Sequence, residues 1–295
     1  MAFNPNALSF NAANALLLAE ASEAAYNTEA AARALMEQRG LPEFRWIDLS
    51  GIFQNLHAFA ASNDAFAILA FRGTASVKDW MTDLHATPVR FSWIFQGSPE
   101  VGDIHAGFGH ALYDGWQKVL AALHEIAPQP EAGDPNPTNA NRTLWITGHS
   151  LGGALAALTA VAFSLLPNKV IRPVSGIYTF GQPRIGLHYF CDNYTRLLTP
   201  RTFRFINNRD LVPRVPFRGW DYSDVGQMIH FKSNGDPERQ SLEWRQFLAR
   251  TFESFEEAIE IFANMKMDVG DHSISTYRQR VAEHQQVLDS LFVGG

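Results

Sequence analysis

A single cysteine, Cys191, stands among 295 residues. No internal disulfide can form, and any site that needs two or more thiolates is excluded. Charge is also sparse: 24 Lys and Arg against 30 Asp and Glu leave a net charge of −6. There is no basic surplus to hold a phosphate backbone, so nucleic acid is not an expected partner. No run of eighteen or more uncharged apolar residues occurs, which excludes a membrane-spanning helix and leaves adsorption to a lipid surface open. Near the start, the apolar patch Leu16 to Ala19 has no Lys or Arg before it and has Glu20 and Glu23 after it. It fails as a signal peptide and reads as an amphipathic helix. The expected location is therefore the cytoplasm, or export by a route without an N-terminal signal. No internal repeat is visible.

What remains is a chain with 46% hydrophobic and 12% aromatic residues, enough to close one large core, so one domain over 1–295 is expected. Residues 9 to 26 and 28 to 39 read as two helices packing on that domain, the second opened by Thr28 and closed by Gly40. After Pro42 come the β-like runs "FRWIDLS", "NLHAFAAS" and "AFAILAFRG". Helices are then expected at about 107 to 127, at 151 to 165 and over "GLHYFCDNYTRLL", alternating with strands at 142 to 147, at 174 to 180 and over "TFRFINN". Such alternation indicates βαβ units and a mostly parallel central sheet flanked by helices. The Pro-, Asn- and Gly-rich stretch 128 to 142 reads as a surface excursion, and two more long helical patterns cover 241 to 266 and about 273 to 291.

One strand-to-helix junction carries chemistry. "LWITGHSLGGALAAL" runs from a β-like segment through Gly148-His149-Ser150-Leu151-Gly152 into an Ala- and Leu-rich helix. That is the G-x-S-x-G pattern, in which a strained turn lifts a serine hydroxyl above the sheet and the glycines prevent collision. A serine needs a base to take its proton and an acid to hold the base. In this fold class the acid and then the histidine follow the serine in the chain. Downstream, His188 and His284 fall on helical patterns and His230 lies within the strand-like "QMIHFKS". His272 follows a glycine break and precedes a helix, so it is the expected base. Asp210 ends the strand "TFRFINNRD", where sheet ligands gather, and is the expected acid. Asp192 is helical, Asp221, Asp224 and Asp236 fall in polar loops, and Asp271 is too close in sequence to face His272. The oxyanion donors are expected to be the backbone N–H of Leu151 and Thr74, at the end of an earlier strand. His149 reads as a structural neighbour.

Six stretches, "FRGTASVKDWMTDL", "IHAGFGHAL", "ITGHSLGGALA", "YTFGQPRIG", "NNRDLVPRVP" and "DHSISTYR", together resemble the class 3 lipases, the α/β-hydrolase branch with the fungal triacylglycerol lipases. The resemblance implies an α/β-hydrolase fold and a Ser150, Asp210 and His272 triad with Thr74 and Leu151 as oxyanion hole. It implies a triacylglycerol lipase without cofactor or metal, acting on acylglycerol or other lipid esters with transient adsorption at a lipid–water interface. A phospholipase A1, an esterase for soluble or aryl esters, and an inactive lipase-like binding module are the alternatives. In the family the segment after the oxyanion residue forms a lid. Here 75–86 sets Val77, Trp80, Met81 and Leu84 at helical spacing, which fits either a lid or a fixed surface helix. The Phe-rich 241–266 pattern and "FSWIF" fit either an acyl-pocket wall or plain core, the latter as a buried strand. Absent disulfides and signal peptide set this chain apart from the secreted fungal members.

Overall fold

Side-chain caps open the first helices. The Asn11 side chain accepts from the Asn14 N–H at the start of α1 (Ala12–Ala24), and Thr28 accepts from Ala31 at the start of α2 (Glu29–Gln38). Gly40, at φ +78°, carries the chain out of α2. The fold is that of a computed structural model describing residues 2–51, 55–74, 87–127, 142–166, 173–239 and 269–293. The lid segment, with Val77, Trp80, Met81 and Leu84, lies outside the described residues. So do 128–141 and the 241–266 pattern.

Three strands then form a meander, β1 (Glu43–Asp48), β2 (His57–Ser62) and β3 (Phe66–Phe71), with the Asn63 side chain accepting from Ala65 and Phe66 in its tighter turn. The chain continues through β4 (Pro88–Arg90), α3 (Phe91–Ile94), β5 (Asp103–His105), α4 (Ala106–Ile126), β6 (Thr143–His149), α5 (Leu151–Leu165) and β7 (Val174–Phe180). It proceeds through β8 (Gly186–Leu187), α6 (His188–Leu198), β9 (Thr202–Asn207), β10 (Tyr222–Ser223), β11 (Gln227–Phe231) and β12 (Pro237–Arg239). After the undescribed stretch come α7 (Val269–His272), α8 (Ile274–Glu283) and α9 (Gln285–Ser290).

Eight strands make the main sheet in the order β1-β2-β3-β6-β7-β9-β11-β12. The five from β3 to β11 run parallel, and the antiparallel partners sit at the two edges. This is the α/β-hydrolase arrangement. Parallel strands are covered on both faces, which explains why "FAILAF" is apolar throughout rather than alternating. Ala67, Leu69 and Phe71 join the core on the side of α4 and α5, while Phe66, Ile68 and Ala70 join the core on the side of α1 and α8. The C-terminal helices close over the N-terminal one. Asp289 accepts from the Ala12 N–H at 2.8 Å, Arg278 pairs with Glu23 at 2.5 Å, and Phe10 stacks on Phe292 at 4.5 Å between ring centres.

Two expectations need correction. "FSWIF" is not a strand: Phe91 to Ile94 form the single turn α3, because Phe91, Ile94 and Phe95 at helical spacing all reach the core while Trp93 is 67% exposed. Phe91 stacks on Phe95 at 4.7 Å, and Phe95 meets Trp116 edge-on at 5.3 Å. The pattern over 273 to 291 is two helices, broken at His284, whose backbone (φ −118°, ψ 21°) leaves the helical region. A second sheet of four short strands, β10-β8-β5-β4, was not expected at all.

Candidate active site

Ser150 sits between the end of β6 and the start of α5 with φ 58° and ψ −131°, a conformation costly for any residue with a side chain. It persists because its surroundings fix it: the Ser150 N–H donates to the Phe180 carbonyl at 2.9 Å, across to the neighbouring parallel strand. The turn has no room to spare. A Cβ at Gly152 would run into the Phe71 carbonyl, and one at Gly148 into that of Gly152. Leu151 is the first residue of α5, so its N–H is among the four that helix geometry leaves without an intrahelical acceptor. The positive end of the helix dipole points the same way.

The expected base and acid meet. His272 ends α7, and its Nδ1 donates to Asp210 Oδ2 at 2.8 Å; both residues are buried. Asp210 follows β9 and is held on every side. Its N–H donates to the Asn207 carbonyl at 2.9 Å, its Oδ1 accepts from the Val212 N–H at 3.0 Å, and its Oδ2 also accepts the Tyr277 hydroxyl at 2.6 Å. Tyr277, one turn into α8, accepts in turn from the Asn207 N–H at 3.0 Å. Burial, and then the charge of Asp210, push its phenol well above the ordinary tyrosine value, so it remains a donor. Gly181, at φ +58°, lies beneath the pair: a Cβ there would come within 2.9 Å of Asp210 Oδ2 and of His272 Cε1.

Three buried polar atoms have no hydrogen-bond partner among the described residues at this site: Ser150 Oγ, His272 Nε2 and Thr74 Oγ1. Orphaned polar atoms in a folded interior cost free energy, so each calls for an occupant such as a reacting group, a water or an ion. Thr74 follows β3, next to Gly73, whose added Cβ would lie 2.9 Å from Ser150 Cβ and closer still to the His149 carbonyl. The segment carrying Thr74 thus borders the serine. Nucleophile, base, acid and both oxyanion candidates come from four separate places in the chain: Asp210 meets His272, and the segment before Thr74 meets Ser150.

His230 and His188, weighed as bases, and Asp271 and Asp224, weighed as acids, have other partners in the structure. His230 in β11 bonds the Asn208 carbonyl at 2.9 Å, and His188 opens α6 on the surface. Asp271 turns away from His272 and accepts from the Asn208 side chain at 2.9 Å and the Arg209 N–H at 3.3 Å, stapling the base's helix to the acid's loop. Asp224 is not the polar-loop residue its neighbours in sequence suggest. It is half-buried against Arg184 and Arg204, both at 3.1 Å, and also pairs with Arg218. Burial alone would raise its carboxyl, but Arg204, Arg184 and Arg218 overcome this and hold it well below the ordinary value. Arg184 also donates to the carbonyls of Arg214 and Pro216, so the cluster fastens the loop after Asp210. Among the described residues no three His, Cys, Asp or Glu side chains are placed to hold a metal ion, and no helix is long and apolar enough to cross a membrane.

Tyr277 and Gly181 were not singled out by sequence, and Asp271 was weighed only as the acid, although Tyr277 and Asp271 flank His272 in "DHSISTYR" and Gly181 stands in "YTFGQPRIG". The available signal was their place in those runs; their roles depend on contacts made across the fold.

Comparison with known proteins adds the following. The family model described as Lipase (class 3) matches residues 68–220. A triacylglycerol lipase of Ricinus communis is 29% identical over 224 residues, covering 61% of this chain and 41% of that protein. A phospholipase A1-II of Oryza sativa is 30% identical over 179 residues, covering 58% and 44%. The match spans less than half the length of these curated relatives. A fungal lipase solved with an inhibitor superposes with a TM-score of 0.60 at 21% identity, over 83% of this chain and 91% of that one.

Proposed function

Because the chain belongs to the class 3 lipase family, we propose that it is a carboxylic ester hydrolase that cleaves acylglycerol esters through an acyl-enzyme on Ser150. The observation that carries this reading is the buried Asp210–His272 pair at 2.8 Å, with His272 Nε2 and the hydroxyl of a strained Ser150 both left without a partner among the described residues. Asp210 accepts from Nδ1, so in the neutral imidazole Nε2 is the free acceptor. Ser150 Oγ attacks the ester carbonyl carbon while Nε2 takes its proton. The carbonyl π pair moves onto oxygen, where the N–H groups of Leu151 and Thr74, with the Thr74 hydroxyl, receive it. Collapse of the tetrahedral species expels the alcohol, which leaves with the proton from Nε2. A water molecule, deprotonated by the same nitrogen, then adds to the acyl-enzyme and releases the fatty acid and the free serine. Asp210 keeps the imidazole in one tautomer and offsets its charge while it is protonated.

A water-insoluble acylglycerol is the substrate favoured by the family, by the relative named a triacylglycerol lipase, and by the helical spacing of Val77, Trp80, Met81 and Leu84 just beyond Thr74. Contact with lipid would then be transient adsorption at an interface. The test is the rate of tributyrin hydrolysis as its concentration crosses the solubility limit, with Ser150→Ala as blank. Ser150→Ala is expected to lose turnover by about 10⁶. A jump in rate where droplets form supports a lipase acting at an interface, and smooth saturation supports an esterase with an open site. Faster release of fatty acid from phosphatidylcholine than from triolein would move the assignment to a phospholipase, as the Oryza sativa relative is named. Turnover in Ser150→Ala above a few per cent of wild type would place the nucleophile elsewhere.

A further inference from the structure

His149, directly before the candidate nucleophile, and Tyr26, just after α1, take no part in the chemistry above, yet both face it. His149 Nε2 lies 2.6 Å from the backbone carbonyl oxygen of His272, and its Nδ1 lies 2.7 Å from the Tyr26 hydroxyl. The Tyr26 oxygen also lies against Gly73, next to Thr74: a Cβ added to Gly73 would meet it first. The His149 ring centre lies 4.5 Å from that of His272, with the two planes tilted by 38°, and the Arg72 guanidinium sits 5.5 Å above the Tyr26 ring.

The proton positions follow from the partners. A carbonyl oxygen only accepts, so Nε2 of His149 carries a hydrogen. Burial, and then the nearness of the His272 charge, hold His149 well below the ordinary imidazole range, so the ring is neutral and Nδ1 is bare. Nδ1 therefore accepts, and the Tyr26 hydroxyl donates to it. The two donors in this chain each have an acceptor, Tyr26 to His149 and His149 to the His272 carbonyl, and the Tyr26 oxygen packs against Gly73 at its far end.

We propose that Tyr26 and His149 are positioning residues for the hydrolysis, forming a rigid brace that fixes the oxyanion segment at Gly73–Thr74 relative to the backbone of the base His272. The proposal rests on the hydrolase reading of the site. The brace spans the segment after β3 and the end of α7, and it runs through His149, directly before the nucleophile, which the elbow already fixes. Its anchor lies on the N-terminal part of the chain, ahead of residues 68–220 that the family model matches. Its effect falls on transition-state geometry rather than on substrate affinity, because neither side chain borders the three orphaned atoms except through Gly73 and His272.

Two disrupting variants, their double and one conservative control read it. Tyr26→Phe keeps the ring and removes the hydroxyl, and is expected to lower kcat on p-nitrophenyl butyrate about tenfold with KM within about twofold, since displacement of a reacting group by a fraction of an ångström is sufficient for that. His149→Leu removes both ties and is expected to cost about 10² in kcat. His149→Gln, which offers an amide donor and an acceptor, is expected to restore kcat to within about threefold of wild type. The double variant Tyr26→Phe/His149→Leu is expected to be no worse than His149→Leu alone, as for two links of one chain. Rates are normalised to sites titrated with a phosphonate ester, so unfolded protein does not count. Losses under twofold in both single variants, or a loss carried by KM, would overturn the brace.

A second readout does not need turnover. Ring-nitrogen NMR of the Ser150→Ala protein is expected to show His149 protonated at Nε2 and bare at Nδ1, with Tyr26→Phe shifting the Nδ1 signal. Protonation at Nδ1, or no shift on losing the hydroxyl, refutes the brace even if the wild-type protein hydrolyses no ester. Absence of wild-type hydrolysis with the expected nitrogen pattern refutes the hydrolase reading instead.

Discussion

Replacing Tyr277 by Phe separates what holds the acid from what performs the chemistry. The change deletes one oxygen and leaves a fully buried ring in place against Phe180 and His149. That oxygen donates to the ionised Asp210 at 2.6 Å and accepts from Asn207 at 3.0 Å. A hydrogen bond to a charged group contributes about 1.5–3 kcal/mol, and leaving the Asn207 N–H buried without an acceptor costs a further ~1–3 kcal/mol. The two overlap, because the loop relaxes once for both, so a net loss of about 3 kcal/mol is expected. For a chain of this size that lowers the melting temperature by roughly 6 °C. Activity should fall far less. Asp210 keeps its bond to His272 at 2.8 Å and the Val212 N–H at 3.0 Å, so kcat on a soluble ester at a temperature well below melting should stay within about tenfold of wild type. Differential scanning calorimetry and initial rates on the same preparation measure both. A melting temperature moved by less than about 1 °C would refute the energetic argument. A kcat loss above about 10³ without a stability loss would put Tyr277 into the chemistry.

Two other outcomes are expected. Gly181→Ala forces a side chain into a left-handed position and sets a methyl 2.9 Å from both Asp210 Oδ2 and His272 Cε1, so kcat should fall by about 10² with KM little changed, in steady-state kinetics on p-nitrophenyl butyrate; an unchanged kcat would show that the pair can shift freely. His105 is buried and pushed down to about 4 by burial, from an ordinary value of 6.5. The unfolded chain takes up this proton first, so its share of stability is intact above pH 6.5, declines as the pH falls, and is gone below about 4, a loss of roughly 3 kcal/mol. His149 acts in the same direction. His105→Asn retains a side chain able to cap α4 and should flatten the acid limb of urea-unfolding stability; an identical slope in the variant would refute the assignment.

The long elements were legible because their signals are local. The cap at Thr28, the glycine exit at Gly40 and the strand–elbow–helix around Ser150 are each written within a few residues, and β3, β6, β7 and β9 read as apolar runs because both faces are covered. Asp210 and His272 were readable from chain order and strand ends. The rest was not, for reasons of length and range. Strands of two and three residues, such as β8, β10 and β4, are too short to show a period. "FSWIF" has both a β-like composition and a helical spacing of its core residues, and tertiary contacts with Trp116 and Phe190 decide for the helix. Asp224 looked solvated among polar neighbours, and only the fold brings Arg184 and Arg204 to it. Tyr26 reaches His149 across 123 positions, a pairing with no local trace.

The closure of α8 over α1 also sets the order in which the molecule comes into being. His149 leaves the ribosome 123 positions before His272, with its ring nitrogen waiting for that residue's carbonyl. At about 5–20 residues per second this interval lasts roughly 6 to 25 s. Through all of it the apolar face of α1 lacks the α8 residues Tyr277 and Val281 that share its core. On the proposed assignment the elbow has no base and the nascent chain is silent until α7 and α8 arrive, and until then that face is open to a chaperone.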